Sequence, residues 1–467
     1  MRLFNDLNGR KEELEVKDNH VRMYACGPTV YNFFHVGNAR CFVTFDLLRR
    51  YLEYRGNKVD FVQNFTDIDD KMIRRANEEN TTVKAVADHY IEEYFVDAKG
   101  LGVEPATFHP RATENIDSII SIIETLIEKG HAYESQGDVY YAARSFKSYG
   151  KLSGKNIDDL ESGARIDVSE IKRDPLDFAL WKASKPGEPF WESPWGKGRP
   201  GWHIECSAMV DKYLGKTIDI HCGGVDLTFP HHENEIAQSE GAFDVPFCRF
   251  WIHNGFINVD NKKMSKSLGN FFTVRDAAEK YGYAAIRYFI LSAHYKSPVN
   301  FSAEILSQAQ SSVQRLYNCE ENLRFLLKNA EGDSLSAEEE AFLARLDQGR
   351  EKFVEVMDDD FNTADGLAVL FEAVKDINIF VSEPRSRKAL EAIFSFYEEI
   401  CGLLGFMKPA EEKEGAFSDE KVEELLAERT AAKKEKNYAR ADEIRALLQS
   451  EGIVIEDTPQ GPKWHRA

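Results

Sequence analysis

The chain has 467 residues, 43% hydrophobic and 30% charged, which is typical of a globular protein and excludes a collagen-like or largely disordered chain. At about 150 residues per domain, this length indicates about three domains. No apolar run approaches the length of about 18 residues that a membrane span needs, and the N-terminus lacks an apolar stretch of signal-peptide length. Seven cysteines without a C-x-x-C pair indicate a reducing cytosol rather than a disulfide framework. We therefore expect a cytoplasmic protein with no membrane association.

Acidic residues outnumber basic ones, 79 against 59, and the formal net charge is −20. A bulk positive field of the kind that nucleic-acid-binding domains present is therefore absent, and contact with phosphates requires local basic patches. One candidate lies near the C-terminus. Residues 410–428 hold two basic and eight acidic side chains, whereas residues 429–445 hold six basic and three acidic ones. On charge alone, a solvated helix explains this segment equally well.

The first readable segment alternates strand, helix and strand. Residues 21–25 form a β-type run, residues 39–55 carry apolar side chains at helical spacing before Gly56, and residues 59–62 form a second β-type run. Strands joined by a helix are typical of a βαβ unit, in which the two strands are parallel. The sequence therefore predicts an α/β domain built on a parallel sheet.

The pattern changes beyond about residue 100. The segments there are a helix at 116–127, a hairpin at 133–142, a long ordered loop at 182–201, and β-type runs at 217–221 and 250–253. Because β-type runs return after the loop, we interpret residues of about 100–200 as an insertion. The insertion splits one Rossmann-type domain, residues 1–300, into two halves.

Helical periodicity dominates the remainder of the chain. It predicts an antiparallel helix bundle over residues 301–407. Residues 408–418 are typical of a linker. Residues 418–467 contain two amphipathic patterns, a β-type run at 453–455 and a turn at 458–461, which together indicate a small separate module.

The first group with chemical meaning is residues 35–38 (HVGN), between the first strand and its helix. Glycine lets a ligand approach the backbone closely, and a helix N-terminus presents unpaired N–H groups to an anion. His35 beside that helix end can donate to phosphate oxygens. The alternative is a helix start with an incidental histidine.

The second group is the basic segment 261–270 (NKKMSKSLGN). Its three lysines, two serines and one glycine are typical of a cationic, hydrogen-bonding loop that neutralises charge on a triphosphate as pyrophosphate leaves. The alternative is a solvated basic turn.

The third group suits a metal ion. His231 and Glu235 are four residues apart at the start of a predicted helix that Pro230 opens, so they share a face. Together with Cys26 and Cys206, if the sheet brings their loops together, they form a donor set that zinc prefers. Three other residues compete for these roles: His232, Glu233 and Cys222. A free cysteine is also common as a small buried side chain.

The first two groups, in this order along the chain, resemble the paired signatures of class I aminoacyl-tRNA synthetases. Further segments resemble the cysteinyl-tRNA synthetase family: residues 26–31 (CGPTVY), 66–71 (TDIDDK), 201–207 (GWHIECS), 229–235 (FPHHENE), 360–364 (DFNTA) and 456–459 (EDTP). The resemblance extends from about residue 20 to the end of the chain.

The resemblance implies roles for individual residues. The zinc ligands would be Cys26, Cys206, His231 and Glu235. The catalytic residues at the ATP phosphates would be His35, Asn38, Lys263 and Lys266. The amino-acid pocket would be bordered by Thr66, Trp202 and His221, and Gly224 and Asp226 would lie near the nucleotide or the substrate amine. At position 38 many class I enzymes have histidine, so an imidazole-specific role is excluded there, while donation from the amide is not.

The resemblance also implies the reaction. L-Cysteine would be activated by ATP to cysteinyl-adenylate and transferred to tRNA(Cys), which the bundle and the terminal module would bind. One Zn²⁺ per chain would select the substrate thiolate, and ATP would act with Mg²⁺. Family members are generally monomeric, so we expect a monomer. Four protein ligands are typical of closed structural zinc sites, so selection requires either a fifth ligand or a weak bond to Glu235.

Three other functions compete with this hypothesis: a ligase that joins activated cysteine to an amino sugar, a tRNA-binding paralogue without catalysis, and a structural zinc protein. The bundle and the terminal module argue against the amino-sugar ligase. The presence of His35 and Lys266 argues against a paralogue that has lost catalysis. Several motifs in family order argue against a purely structural role.

Overall fold

The computed structural model describes residues 1–156, 172–260, 262–263, 272–409, 417, 419–451, 453–458 and 461–466. The chain forms two compact units. The first unit consists of Met1–Gln314, Gln348–Ala373 and Leu403–Gly405, and the second of Arg315–Asp347, Val374–Gly402 and Phe406–Ala467.

In chain order, the strands are β1 Arg2–Asn5, β2 Arg10–Glu13, β3 His20–Ala25, β4 Lys58–Gln63, β5 Ala132–Ser135, β6 Asp138–Tyr141, β7 Phe178–Ala183, β8 Gly198–Pro200, β9 Ile218–Gly224, β10 Cys248–Asn254, β11 Ile257–Val259, β12 Lys262–Lys263, β13 Val299–Phe301, β14 Ile453–Thr458 and β15 Gly461–Arg466. The α-helices are α1 Val36–Tyr54, α2 Asp70–Glu78, α3 Val83–Gly100, α4 Ile116–Glu128, α5 Trp202–Leu214, α6 Glu233–Phe243, α7 Val274–Tyr281, α8 Tyr283–Leu291, α9 Ala303–Asn329, α10 Ala337–Asp358, α11 Thr363–Phe380, α12 Arg387–Leu404, α13 Asp419–Lys434 and α14 Tyr438–Ser450.

Four parallel strands form the central sheet of the first unit, in the order β10-β9-β3-β4. Met23 of β3 pairs with Phe61 of β4 on one side and with Ile220 of β9 on the other. The strand order reverses between β3 and β9, and such a reversal opens a crevice at the carboxyl ends of the strands. The predicted α/β fold with a parallel sheet is confirmed.

Helix α1 covers this sheet and begins three residues before the predicted start. Its apolar side chains Phe45, Leu48 and Leu52 are at most 2% exposed. Burying a side chain of this size stabilises the fold by about 1.5–3 kcal/mol. The earlier start follows from His35, whose side chain accepts a hydrogen bond from the backbone N–H of Asn38 and so caps the helix.

A second, antiparallel sheet lies between β4 and β9 in the chain, in the order β5-β6-β7-β8. Its hairpin pairs Ala132 with Tyr141, as predicted from the sequence. The stretch predicted as a long ordered loop is partly wrong, since Ala183 pairs with Gly198 and the two ends of the stretch are strands. Tyr141, Trp181 and side chains of α4 form the buried core of this part.

A three-stranded sheet in the order β12-β11-β13 follows β10. Strand β11 pairs in parallel with β13, and Val259 of β11 pairs with Lys262 of β12. Lys262 and Lys263 therefore form a strand that pairs with β11, and β11 pairs in turn with β13 of the first unit.

The chain after residue 302 is helical, as predicted, from α9 to α12. Within the second unit, Phe342 stacks on Phe380 with ring centroids 3.9 Å apart. The two amphipathic patterns near the C-terminus are α13 and α14, which pack with the β14–β15 hairpin around buried Leu426, Ile444 and Ile453. Among the described helices, none is long and apolar enough to cross a membrane.

Candidate functional site

A cavity of about 440 Å³ opens where the strands of the central sheet end. Loops after β3, β9 and β10 line it, together with the start of α1. The lining residues that the sequence analysis singled out are Cys26, His35, Asn38, Trp202, Gly224 and Asp226. Residues predicted to hold a metal, a nucleotide and an amino acid thus share one cavity.

His35 and Asn38 lie at the N-terminus of α1 and fix each other. The backbone N–H of Asn38 donates to His35 Nδ1 at 3.2 Å, and the backbone N–H of His35 donates to Asn38 Oδ1 at 3.4 Å. Because Nδ1 accepts, a neutral imidazole carries its proton on Nε2, which is then a donor. A donor beside a helix N-terminus suits an anion such as a phosphate group.

Four predicted metal ligands come together in the buried part of the first unit: Cys26, Cys206, His231 and Glu235. Their ligand atoms all lie within 4.8 Å of one another. The two Sγ atoms are 3.8 Å apart, Cys206 Sγ is 3.6 Å from His231 Nε2, and Cys26 Sγ is 3.4 Å from Glu235 Oε1. We call these four residues the donor cluster.

Two sheet loops and two helices supply the donor cluster. Cys26 follows β3, and Cys206 lies in the second turn of α5. Glu235 lies in the first turn of α6; a π-helical turn, Thr228–His232, runs into that helix and has helical backbone angles from Pro230 onward, as predicted. His231 precedes that helix, yet its Nε2 is 2.9 Å from Glu235 Oε1, so the two residues meet as their spacing predicted.

A second layer of side chains surrounds the donor cluster. Glu235 presents Oε1 to the cluster, while its Oε2 lies 2.7 Å from His221 Nε2. The far nitrogen of His231, Nδ1, lies 2.8 Å from His203 Nδ1. These contacts orient the carboxylate and the imidazole, as outer groups commonly do in metal sites.

The protonation state of each side chain in the donor cluster depends on its neighbours. Burial alone would raise the pKa of Glu235, but His221 and His231 hold that pKa well below its usual value. The hydrogen bond with Cys26 lowers the pKa of Cys206 to about 6, against the effect of burial. Burial raises the pKa of Cys26 well above its ordinary value. The pair thus favours one thiolate and one thiol, and a bound metal ion would displace the remaining proton.

The competing candidates occupy different positions. Cys222 Sγ donates to the carbonyl of Tyr24 at 3.2 Å and belongs to neither group of close donors among the described residues. The Glu233 carboxylate accepts from the backbone N–H groups of Gly150 and Ser153. His232 belongs to a second group of close donors, made of Cys26, His221, His232 and Glu235.

The three residues predicted to border the amino-acid pocket differ in exposure. Trp202 is 45% exposed and stacks on His231, with ring centroids 4.3 Å apart. Thr66 and His221 are buried. Thr66 donates to Glu205 Oε2 at 2.8 Å, so its hydroxyl is engaged within the protein.

Two lysines, Lys263 and Lys266, were predicted to bind the triphosphate. The backbone of Lys263 lies in β12, and Lys266 lies outside the described residues.

Sequence reasoning missed Lys71, the one lysine or arginine among the described residues that line the cavity. It also missed the wall formed by residues 254–257. Lys71 belongs to the segment 66–71 that carries the family resemblance, whereas nothing in residues 254–257 indicated a role.

Three family models match consecutive parts of the chain. Residues 12–311 match the model of the class I (C) catalytic domain of tRNA synthetases. Residues 352–408 match the DALR domain, and residues 418–464 match the anticodon-binding domain of cysteinyl-tRNA ligase. The chain belongs to the cysteinyl-tRNA synthetase family. As a member of this family it is a class I cysteine–tRNA ligase, and it aminoacylates tRNA(Cys).

Solved structures of other synthetases share the fold. Methionyl-tRNA synthetase of Mycobacterium tuberculosis, in complex with methionyl-adenylate, matches with a TM-score of 0.59 at 15% identity, over 83% of this chain and 90% of that one. LeuRS of Agrobacterium radiobacter K84, in a ternary complex with tRNA and LeuAMS, matches with a TM-score of 0.59 at 11% identity, over 82% and 85% of the two chains. At identities this low, the comparison shows that the cysteinyl-tRNA synthetase chain shares its fold with these proteins, and only that.

Proposed function

We propose that the chain activates L-cysteine with ATP to cysteinyl-adenylate and transfers the cysteinyl group to tRNA(Cys). In this proposal a zinc ion, one per chain, is held by Cys26, Cys206, His231 and Glu235 and selects the substrate thiolate. The observation that carries the proposal is that the buried donor cluster adjoins a cavity, which is also lined by the N-terminal residues of α1.

The donor cluster suits Zn²⁺ in number and kind. Two sulfurs, one imidazole nitrogen and one carboxylate oxygen within 4.8 Å of one another are ligands that zinc prefers. His221 and His203 hold the far atoms of Glu235 and His231, which supports these two as ligands rather than as second-layer groups. The second group of donors contains one sulfur instead of two, so we favour the group that includes Cys206.

Selection between cysteine and serine follows from the donor chemistry. When bound, zinc would supply a soft Lewis acid that prefers a thiolate to an alcohol. A pocket without this chemistry separates such close analogues by only about 10–200-fold. Trp202, stacked on His231, would close one side of the amino-acid pocket, and we propose that Thr66 and His221 border its floor.

In the first step, a carboxylate oxygen of cysteine attacks the α-phosphorus of ATP, and the bond from that phosphorus to pyrophosphate breaks. His35 Nε2 and the first N–H groups of α1 would donate to phosphate oxygens. The Asn38 side-chain NH₂ can donate there too, because its Oδ1 is already engaged by the backbone of His35. Lys263 and Lys266 would neutralise the leaving pyrophosphate together with Mg²⁺.

In the second step, a hydroxyl oxygen of the terminal adenosine of tRNA bonds to the activated carbonyl carbon and releases its proton, and AMP leaves with the electrons of the acyl C–O bond. The protein supplies no nucleophile in either step. Its contribution is to hold the two reactants in contact and to stabilise charge at the phosphates. Gly224 and Asp226, which line the cavity, would lie near the nucleotide or the substrate amine.

We propose the same domain division that the sequence indicates. Residues 1–300 would form the catalytic domain, with the insertion at about 100–200. Residues 301–407 and 418–467 would bind tRNA and read the anticodon. We further propose that the protein is a cytoplasmic monomer, and light scattering on purified protein tests its oligomeric state.

Cysteine-dependent exchange between ATP and labelled pyrophosphate tests the first step, and cysteinylation of a tRNA(Cys) transcript tests the second. We expect both, with serine supporting no measurable exchange. Zinc per chain, measured by atomic emission, is expected to be about one in the native protein and to fall in Cys206→Ser. Absorption at the zinc edge should gain a sulfur ligand when cysteine is added.

Two outcomes would overturn this proposal. Exchange without tRNA charging, combined with transfer to an amino sugar, would assign the chain to the rival ligase. An unchanged preference for cysteine over serine after removal of zinc would separate selection from the donor cluster.

A further inference from the structure

The guanidinium of Arg40 is fully buried and joins separate parts of the first unit. Arg40 lies in α1, two residues after Asn38, and is 0% exposed. Its Nη1 donates to the carbonyls of Gly255 at 3.0 Å and Phe256 at 2.8 Å. Its Nη2 donates to the carbonyls of His294 at 3.3 Å, Tyr295 at 3.0 Å and Ser297. One side chain thus holds two backbone segments against the helix that begins at His35.

The first of these segments is a wall of the cavity. Residues 254–257, which we call the cavity wall, run from the last residue of β10 to the first residue of β11 and line the same cavity as His35 and Asn38. The cavity wall packs directly on residues 294–297. The N–H of Gly255 donates to the carbonyl of Tyr295 at 2.8 Å, and a Cβ at Gly255 would lie 2.5 Å from the carbonyl oxygen of Lys296.

We propose that Arg40 is a positioning residue that sets the cavity wall at the distance from α1 that the adenosine of ATP requires. This inference rests on the proposed function. The phosphates are assigned to the helix end at His35 and cysteine to the donor cluster, so the wall on the remaining side faces the rest of the nucleotide. Phe256, which is 42% exposed in that wall, offers an aromatic face to a base.

A guanidinium is suited to this role, and an ammonium is not. The two terminal nitrogens of arginine lie in a rigid plane and point in different directions, so each reaches its own segment. The single nitrogen of lysine would satisfy one segment and leave the other unpaired. We therefore expect Arg40→Lys to keep the fold while letting the cavity wall move relative to α1.

Arg287 provides a matched control. It is also buried, at 1% exposure, and its guanidinium also donates to backbone carbonyls, those of Leu404, Leu101 and Gly102. Arg287 does not line the cavity. Arg287→Lys therefore removes a buried guanidinium from backbone carbonyls outside the cavity lining, although Arg287 Nη2 also lies 3.8 Å from Asp46 Oδ2.

The test measures ATP–pyrophosphate exchange in the full-length wild type, Arg40→Lys and Arg287→Lys, with ATP and cysteine varied separately. We expect Arg40→Lys to raise the KM for ATP at least about tenfold, the factor that loss of one charged hydrogen bond produces. The KM for cysteine should stay within about twofold, and Arg287→Lys should change neither. Added guanidinium ion should lower the raised ATP KM of Arg40→Ala towards the wild-type value and leave the ATP KM of Arg287→Ala unchanged.

An unchanged ATP KM in folded Arg40→Lys, or equal rises in both lysine variants, would overturn the proposal. If Arg40→Lys does not fold, Phe256→Ala decides, because this exposed side chain is not needed for the core. An unchanged ATP KM in Phe256→Ala would show that the cavity wall does not contact the nucleotide. Failure of the proposed function looks different, since the wild type itself would then show no cysteine-dependent exchange.

Discussion

Replacement of Gly27 by alanine should damage both the fold and the donor cluster. Gly27 follows Cys26, and its N–H donates to Asn64 Oδ1 at 2.9 Å. A Cβ at Gly27 would lie 1.6 Å from the carbonyl oxygen of Asn64, and contacts under 3.0 Å are essentially never found, so the two backbones must separate by about 1.4 Å. Asn64 Oδ1 also lies 3.9 Å from Cys206 Sγ, so this separation displaces Cys26 from Cys206.

The expected loss in the free energy of unfolding combines two effects. Overpacking of a close contact costs about 1–3 kcal/mol, and loss of the Gly27–Asn64 hydrogen bond adds about 1 kcal/mol. Urea unfolding followed by circular dichroism measures this loss, and atomic emission measures zinc per chain, which should fall. Gly402→Ala is the control, because Gly402 lies inside α12 with no atom nearer than 4.0 Å to an added Cβ. It should gain about 0.5–1 kcal/mol. Wild-type stability and zinc content in Gly27→Ala would refute the reasoning.

Three further predictions concern titration, metal content and the C-terminal module. Burial lowers the pKa of His109 from 6.5 to about 4. The free energy of unfolding should therefore be constant above pH 6.5 and fall by at most about 3 kcal/mol between pH 6.5 and 4, where the unfolded chain binds the proton more readily. His109→Gln should flatten this pH dependence in urea titrations, and an unchanged slope would contradict the prediction. Cys206→Ser should lose zinc while Cys222→Ser keeps it, because Cys222 donates to a backbone carbonyl outside the donor cluster; equal zinc loss in both variants would be the contrary result. Arg429→Met removes a bidentate hydrogen bond to the Asp457 carboxylate, at 2.8 and 3.0 Å. It should lower the free energy of opening measured by amide hydrogen exchange in β14 by about 1–3 kcal/mol. In that variant tRNA charging should decline while ATP–pyrophosphate exchange is retained, and loss of exchange would contradict this expectation.

Periodicity was sufficient to predict the elements that form the sheet. The β-type runs at 21–25 and 59–62 and the helix between them differ from β3, β4 and α1 by only a few residues at their ends. The start of α1 was missed because the capping by His35 depends on local hydrogen bonds rather than on apolar spacing. The strand at 198–200 was missed because β8 has only three residues, one of them Gly and one Pro, while the other end of the 182–201 stretch holds only the last two residues of β7.

The donor cluster was predicted by resemblance rather than by spacing. Spacing brought His231 and Glu235 together but left His232, Glu233 and Cys222 as competing candidates. What separates them is tertiary: Cys222 is bonded to the backbone of Tyr24, and Glu235 has one oxygen facing the cluster and the other facing His221. The role of Arg40 could not be predicted for the same reason, because the carbonyls to which it donates lie more than two hundred residues away in the sequence.

Strand β3 has consequences for how the molecule is made. Its neighbour β9 begins at Ile218, about 190 residues after β3 ends at Ala25, and translation at about 5–20 residues per second needs roughly 10–40 s to supply it. During that interval one edge of β3 stays unpaired. The donor cluster that we propose for zinc is complete only after Glu235 has been translated, so an ion held by all four residues would bind late in biogenesis.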